Sequence, residues 1–155
     1  MPQPGGRRLA GVKIAVGADD KTQLTDAVIA DLLERGHDLT LVGPPGGEAI
    51  EWAEVGRRVG ELVAAGDADT GVLFCWTGTG ASIASNKVPG VRAALCTDAA
   101  TAAGARTWND ANVLVMGLRL VSPDVAREML DAWFDTEPDP QEADNIARLE
   151  HDETR

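Results

Sequence analysis

Five short apolar runs recur along the chain, and each is followed by a segment long enough for a helix, a rhythm that few architectures accept. The runs are Val12 to Ala18, Asp38 to Gly43, the stretch ending at Cys75, Val91 to Cys96, and Val113 to Gly117. Most are rich in β-branched residues with little polar alternation, the pattern of strands covered on both faces. Between Thr22 and Arg35, the apolar positions Leu24, Ala27, Val28, Ala30, Leu32 and Leu33 recur at helical spacing, and Gly36 suits the helix end. Further helices are predicted from about Ile50 to Ala65, from Thr79 or Gly80 to Asn86, and from about Asp98 to Trp108. Ser122-Pro123-Asp124 caps a last one through about Phe134.

Strands alternating with helices predict a parallel sheet covered on both faces and joined by right-handed crossovers. The expected fold is α/β, a single-domain Rossmann-like three-layer αβα sandwich with a five-stranded parallel sheet. A length of 155 residues with 44% apolar content fits one domain. Its expected span is 12–136, with residues 1–11 a disordered extension and 137–155 an acidic C-terminal segment available to pack on a partner subunit. Ligands of such sheets bind beyond the carboxyl ends of the strands. We expect Asp19, Cys75, Cys96 and the loop around Asn109 there.

Charge and composition exclude several functions. A formal net charge of −11 opposes nucleic-acid binding. No run approaches the roughly 18 apolar residues of a membrane span, and MPQPGGRRLAG lacks the apolar block of a signal peptide, so a cytoplasmic protein is expected. Neither His37 nor His151 lies in a metal-ligand spacing with cysteine, so no metal centre is expected, and His37 beside Gly36 reads as solvent-exposed.

The stretch VLFCWTGTGASIASNK, Val72 to Lys87, carries the chemistry. An apolar strand stops at Cys75, Gly78 and Gly80 allow a sharp turn, and a helix of small residues opens at once. The free N–H groups of that helix start face whatever lies beside the thiol, forming a cradle for an anion or oxyanion. Taken alone, Cys75 reads as a small buried hydrophobe, and Cys96 as core packing. Asp19 and Asp20 also fit a helix N-cap and first-turn acid, a role as favoured as ligand binding for Asp20 and less favoured for Asp19.

Four blocks in order, GADD at 17–20, CWTGTGASIASNK at 75–87, GVRAALC at 90–96 and NDANVLVMGLR at 109–119, resemble the ribose-5-phosphate isomerase B and galactose-6-phosphate isomerase family. The resemblance implies a homodimeric, cofactor-free enzyme that interconverts aldose and ketose sugar phosphates through an enediolate. It implies Cys75 as the base, Thr77 as its helper, and the Gly78 to Gly80 amides as the oxyanion loop. It also implies that Asp19 and Asn109 bind substrate; Asp20, Thr79, Ser82, Trp108 and Arg119 are the further residues expected around the same sugar.

Departures from the family pattern matter as much. Asp20 and Trp108 stand where histidines are usual, Trp76 stands for a glycine, and Trp52 for a tyrosine. Gln141, Glu142 and Asn145 fall on a cluster that is basic elsewhere and grips phosphate. These changes predict an altered substrate, non-phosphorylated or otherwise modified, although Arg92, Arg106 and Arg119 remain. Trp108 and Trp52 read equally as substrate stackers or dimer core. A sugar epimerase and a non-catalytic sugar-binding or regulatory protein are the competing readings.

Overall fold

Every strand and helix anticipated above forms in the computed structural model, which describes residues 11–151. In chain order they are β1 (Lys13–Ala18), α1 (Gln23–Glu34), β2 (Asp38–Val42), α2 (Trp52–Ala64), β3 (Thr70–Cys75) and α3 (Thr79–Asn86). There follow β4 (Ala93–Leu95), α4 (Ala99–Asn109), β5 (Val113–Gly117), α5 (Pro123–Asp135) and α6 (Ala143–His151). The expected extension at 1–11 lies outside the described residues except for Gly11, whose amide donates to the Gly36 carbonyl. Among the described residues no helix is long and apolar enough to cross a membrane.

Local chemistry sets the helix starts. The Thr22 hydroxyl accepts from the Thr25 amide at 3.2 Å, and the Thr25 hydroxyl accepts from the Thr22 amide at 2.9 Å. This reciprocal cap starts α1. It takes the N-cap role offered to Asp19 and Asp20, so neither acid caps the helix. Asp98 caps α4 through the Thr101 amide and Ser122 caps α5 through the Val125 amide.

The strands are parallel throughout, in the order β2-β1-β3-β5-β4. Because β2 lies on one side of β1 and β3 on the other, the winding reverses between β1 and β3, the position where open α/β sheets hold ligands. Ala18 pairs with Phe74. Asp19 and Cys75, one residue further on, therefore leave the sheet side by side. One face is covered by α1, α4 and α5, whose Leu24, Val28, Leu32, Met129, Leu130 and Trp133 pack on Ile14, Val16 and Phe74. The other is covered by α2 and α3, with Val55, Val59 and Ala81 packed on Leu73 and Val115.

The α2–α3 contact is unusually close. A Cβ on Gly56 would lie 2.7 Å from the Ala81 carbonyl oxygen, and one on Gly60 would lie 3.1 Å from the Ser85 hydroxyl. Only glycine permits this approach.

Two expectations need correction. His37 is not exposed: it is 3% accessible, its ring lies 4.8 Å from that of Phe134, and neither ring nitrogen has a hydrogen-bond partner among the described residues. Phe134, on α5, covers it from a distant part of the chain. The Asn109 loop is not at the carboxyl ends of the strands. Each crossover helix runs back down the sheet, so α4 starts beside Cys96 and ends at the amino end. There the Asn112 carbonyl accepts from the Gly71 amide at the start of β3.

Candidate active site

The chain leaves β3 at Cys75, which is 5% accessible, and turns across the end of β5. The Leu118 amide donates to the Cys75 carbonyl at 2.9 Å and the Arg119 amide to that of Trp76 at 3.0 Å. Gly78 turns the backbone with φ of +80°, and a Cβ there would sit 2.5 Å from Leu95 and 3.2 Å from the Gly117 amide nitrogen. The turn needs glycine for both conformation and space. It brings α3 in immediately, so its first residues, Thr79 and Gly80, open the helix at the strand end that Cys75 closes.

The first helical bond of α3 is from the Ser82 amide to the Gly78 carbonyl, 3.1 Å. The amides of Thr79 and Gly80 come before it and donate to no group among the described residues. They form the positive end of the helix dipole. The Thr77 and Thr79 hydroxyls lie 2.8 Å apart, so one donates to the other and one hydrogen is left for a ligand. Ser82 is half-buried one turn further on.

Asp19 closes the opposite wall. Burial raises its carboxyl above the ordinary carboxylate range. Hydrogen bonding to its own backbone partly offsets this, while the charges of Asp20 and Glu51 push the same way as burial. Three carboxylates thus share one mouth. Sequence reasoning passed over Glu51, because nothing local marks a residue that the α2 approach carries to Asp19. Asp20 is exposed, and Lys21 turns away to a two-oxygen contact with Asp26 at 2.9 Å. Arg119 is exposed beside Trp76, and its side chain makes no ion pair or hydrogen bond among the described residues.

Two predicted site residues are not brought to this place within one chain. Trp108 and Asn109 end α4 at the far end of the sheet, both exposed, with the Trp108 ring lying on Gly104 of its own helix. Arg92 and Arg106 also belong to that end, where both pair with Asp110. Arg92 also meets Glu150 of α6, and the Arg106 guanidinium lies over the Trp133 ring. Neither is placed to receive a phosphate at Cys75. Asn112 holds the backbone of Gly90 and Arg92 and is structural. Cys96 is buried, and burial, with the Asp98 charge, pushes its thiol up to about 12. It is inert as a base. Among the described residues, no three His, Cys, Asp or Glu side chains gather into a metal site.

A Ribose/Galactose Isomerase family profile matches residues 14–151. Ribose-5-phosphate isomerase B of Escherichia coli strain K12 is 38% identical over 123 residues, covering 79% of this chain and 83% of that protein. D-erythrulose-4-phosphate isomerase 2 of Mycolicibacterium smegmatis is 36% identical over 138 residues, covering 85% of this chain and 90% of that protein. The solved structure of Clostridium thermocellum ribose-5-phosphate isomerase B superposes with a TM-score of 0.85 at 36% identity, covering 92% of this chain and 97% of that one. With the profile spanning nearly all the described residues, and with relatives and a solved fold aligned over most of their length, this chain belongs to the ribose/galactose isomerase family of enzymes.

Proposed function

We propose that the protein is an aldose–ketose isomerase of a small sugar or sugar phosphate, with Cys75 as the base. The observation that carries this reading is the Cys75 thiol beside the two undonated amides at the start of α3, opposite Asp19. Sugar-phosphate isomerases among its relatives support it.

The Cys75 thiolate takes the proton from C2 of an open-chain aldose. The C–H electron pair becomes the C1–C2 double bond of an enediolate, and the carbonyl pair moves onto O1. That oxyanion accepts hydrogen bonds from the Thr79 and Gly80 amides and from the Thr77 hydroxyl. Removing one such donor costs about 100-fold or more in rate. The Cys75 thiol returns the proton to C1, and the hydroxyl proton passes from O2 to O1 to give the ketose. Asp19 binds sugar hydroxyls and holds the chain across the strand ends. No step calls on a cofactor.

We place Trp108 and Asn109 in the site of a second copy, because within one chain they lie at the wrong end of the sheet. A homodimer also accounts for the exposed Trp76, Ile83, Leu95, Trp108 and Leu120, five large apolar side chains that water otherwise meets. The mouth favours a substrate without a dianionic group close to Asp19, Asp20 and Glu51, since like charges at short range oppose binding. Arg119 is a cation left for a phosphate, and Asp20 and Ser82 are further hydroxyl contacts.

Comparing kcat/KM for pentoses and tetroses with those of their phosphate esters tests the substrate reading. A preference for the free sugar, or at most parity, is expected. A strong preference for the ester refutes the altered-substrate claim and leaves the isomerase chemistry standing.

A further inference from the structure

The half-exposed Trp52 is not used by the mechanism above, yet it touches the catalytic helix. It is the first residue of α2, and it begins a ridge, Trp52, Gly56 and Gly60, spaced four residues apart on one helix face. Gly56 and Gly60 press directly on Ala81, Ala84 and Ser85 of α3. At the active-site end of the same ridge, the six-membered ring of Trp52 covers Gly80. Its Cε3, Cζ3 and Cδ2 atoms stand 2.7, 2.8 and 3.1 Å from where a Cβ would be. The neighbouring Glu51 acts on the Asp19 carboxyl, so the start of α2 reaches the substrate mouth.

A helix N-terminus stabilises an oxyanion only when its amides aim at the right point, and small misplacements cost large factors in rate. α3 is a short helix of eight residues entered through a glycine with positive φ, so little within it fixes the aim of its first turn. The glycine ridge fixes the middle of α3. Trp52 is a large side chain laid over Gly80 in its first turn.

We propose that Trp52 is a positioning residue. Its ring, seated on Gly80, holds the Thr79 and Gly80 amides in the direction the oxyanion requires. This rests on the isomerase reading above for its catalytic consequence, and on the α2–α3 packing alone for its mechanical one.

Wild type, Trp52→Phe and Trp52→Ala are compared in two measurements. The first is steady-state isomerisation of ribose, erythrulose and their phosphate esters, giving kcat and KM separately per folded molecule. The second, without substrate, is the 15N relaxation order parameter of the Thr79, Gly80 and Ala81 amides. Trp52→Ala is expected to lower kcat at least tenfold with KM within about twofold, and to lower order at those three amides while the rest of the sheet is unchanged. Trp52→Phe, which keeps a six-membered ring, is expected to recover most of both. The proposal is overturned if the order parameters of Trp52→Ala match wild type. It is also overturned if kcat is retained while stability alone falls, or if KM rises with kcat unchanged, which marks a substrate wall instead. Should wild type turn over none of these sugars, the isomerase reading fails, and the relaxation data still decide whether Trp52 orders the first turn of α3.

Discussion

Replacing Gly80 with alanine reports on the Trp52 contact through the sign of its effect on stability. Gly80 has no positive φ and sits in the first turn of a helix, where alanine is ordinarily better than glycine by about 0.5–1 kcal/mol. Here the added methyl carbon would stand 2.7–3.1 Å from three ring carbons of Trp52, well inside the roughly 3.5–4 Å of comfortable contact. Overpacking of this kind costs about 1–3 kcal/mol. The net expectation for Gly80→Ala is a loss of about 0.5–2 kcal/mol. For a chain of this length that lowers Tm by roughly 2–6 °C. In a Trp52→Ala background the obstacle is gone, and the same substitution is expected to stabilise by about 0.5–1 kcal/mol. Urea unfolding of wild type, both single variants and the double variant at one fixed protein concentration gives the coupling directly. The reasoning expects about 1–3 kcal/mol. A coupling below 0.5 kcal/mol, with Gly80→Ala equally harmful in both backgrounds, refutes it.

Other outcomes follow from the same geometry. Burial, with the Arg35 charge, holds the His37 ring below the ordinary histidine pKa, so the unfolded chain binds its proton first as pH falls. Folding stability is therefore full above about pH 6.5 and is lost as pH drops from there towards the lowered folded value; His37→Leu is expected to flatten that limb in urea titrations at pH 7.5 and 5.5. Asp19 has the opposite sign. Its raised carboxyl favours the fold at low pH and loses that advantage as pH rises through the folded value, so Asp19→Asn is expected to gain stability at pH 7 by thermal melting while losing isomerase activity. Gly78→Ala must hold a left-handed φ and meet Leu95, and a stability loss of at least about 1–2 kcal/mol with collapse of activity is expected. Mixing Cys75→Ala with Asn109→Ala subunits is expected to restore activity that neither has alone; failure of complementation after verified subunit exchange removes Asn109 from the shared site.

The strands were legible because each is a short apolar run closed by a turn residue, and such runs are buried in a parallel sheet; their order in the sheet was not. The turn at Cys75 was legible for a different reason: two glycines between a strand and a helix of small residues leave few other conformations. Asp19 facing Cys75 follows from the reversal between β1 and β3 once the order is known. Asn109 was misplaced because its block adjoins a strand, and only the direction of the crossover says which end of that strand it meets. His37 was misread because its neighbours in sequence are polar, whereas its burial is supplied by Phe134. Glu51 and the role of Trp52 depend on how closely α2 approaches α3. That distance is set by Gly56 and Gly60 in combination with Ala81 and Ser85, and no one segment displays it.

Proton transfer by Cys75 is the central claim, and deuterium entry tests it without requiring net conversion. Wild type and Cys75→Ala, both verified as folded by circular dichroism, are incubated in heavy water with ribose, erythrulose and their phosphate esters, and label at C1 and C2 is followed by NMR. The account predicts exchange into at least one of these sugars by wild type, reduced by a factor of 100 or more in Cys75→Ala. Exchange that persists in Cys75→Ala at the wild-type rate contradicts it, as does the absence of label in every sugar with the wild-type protein.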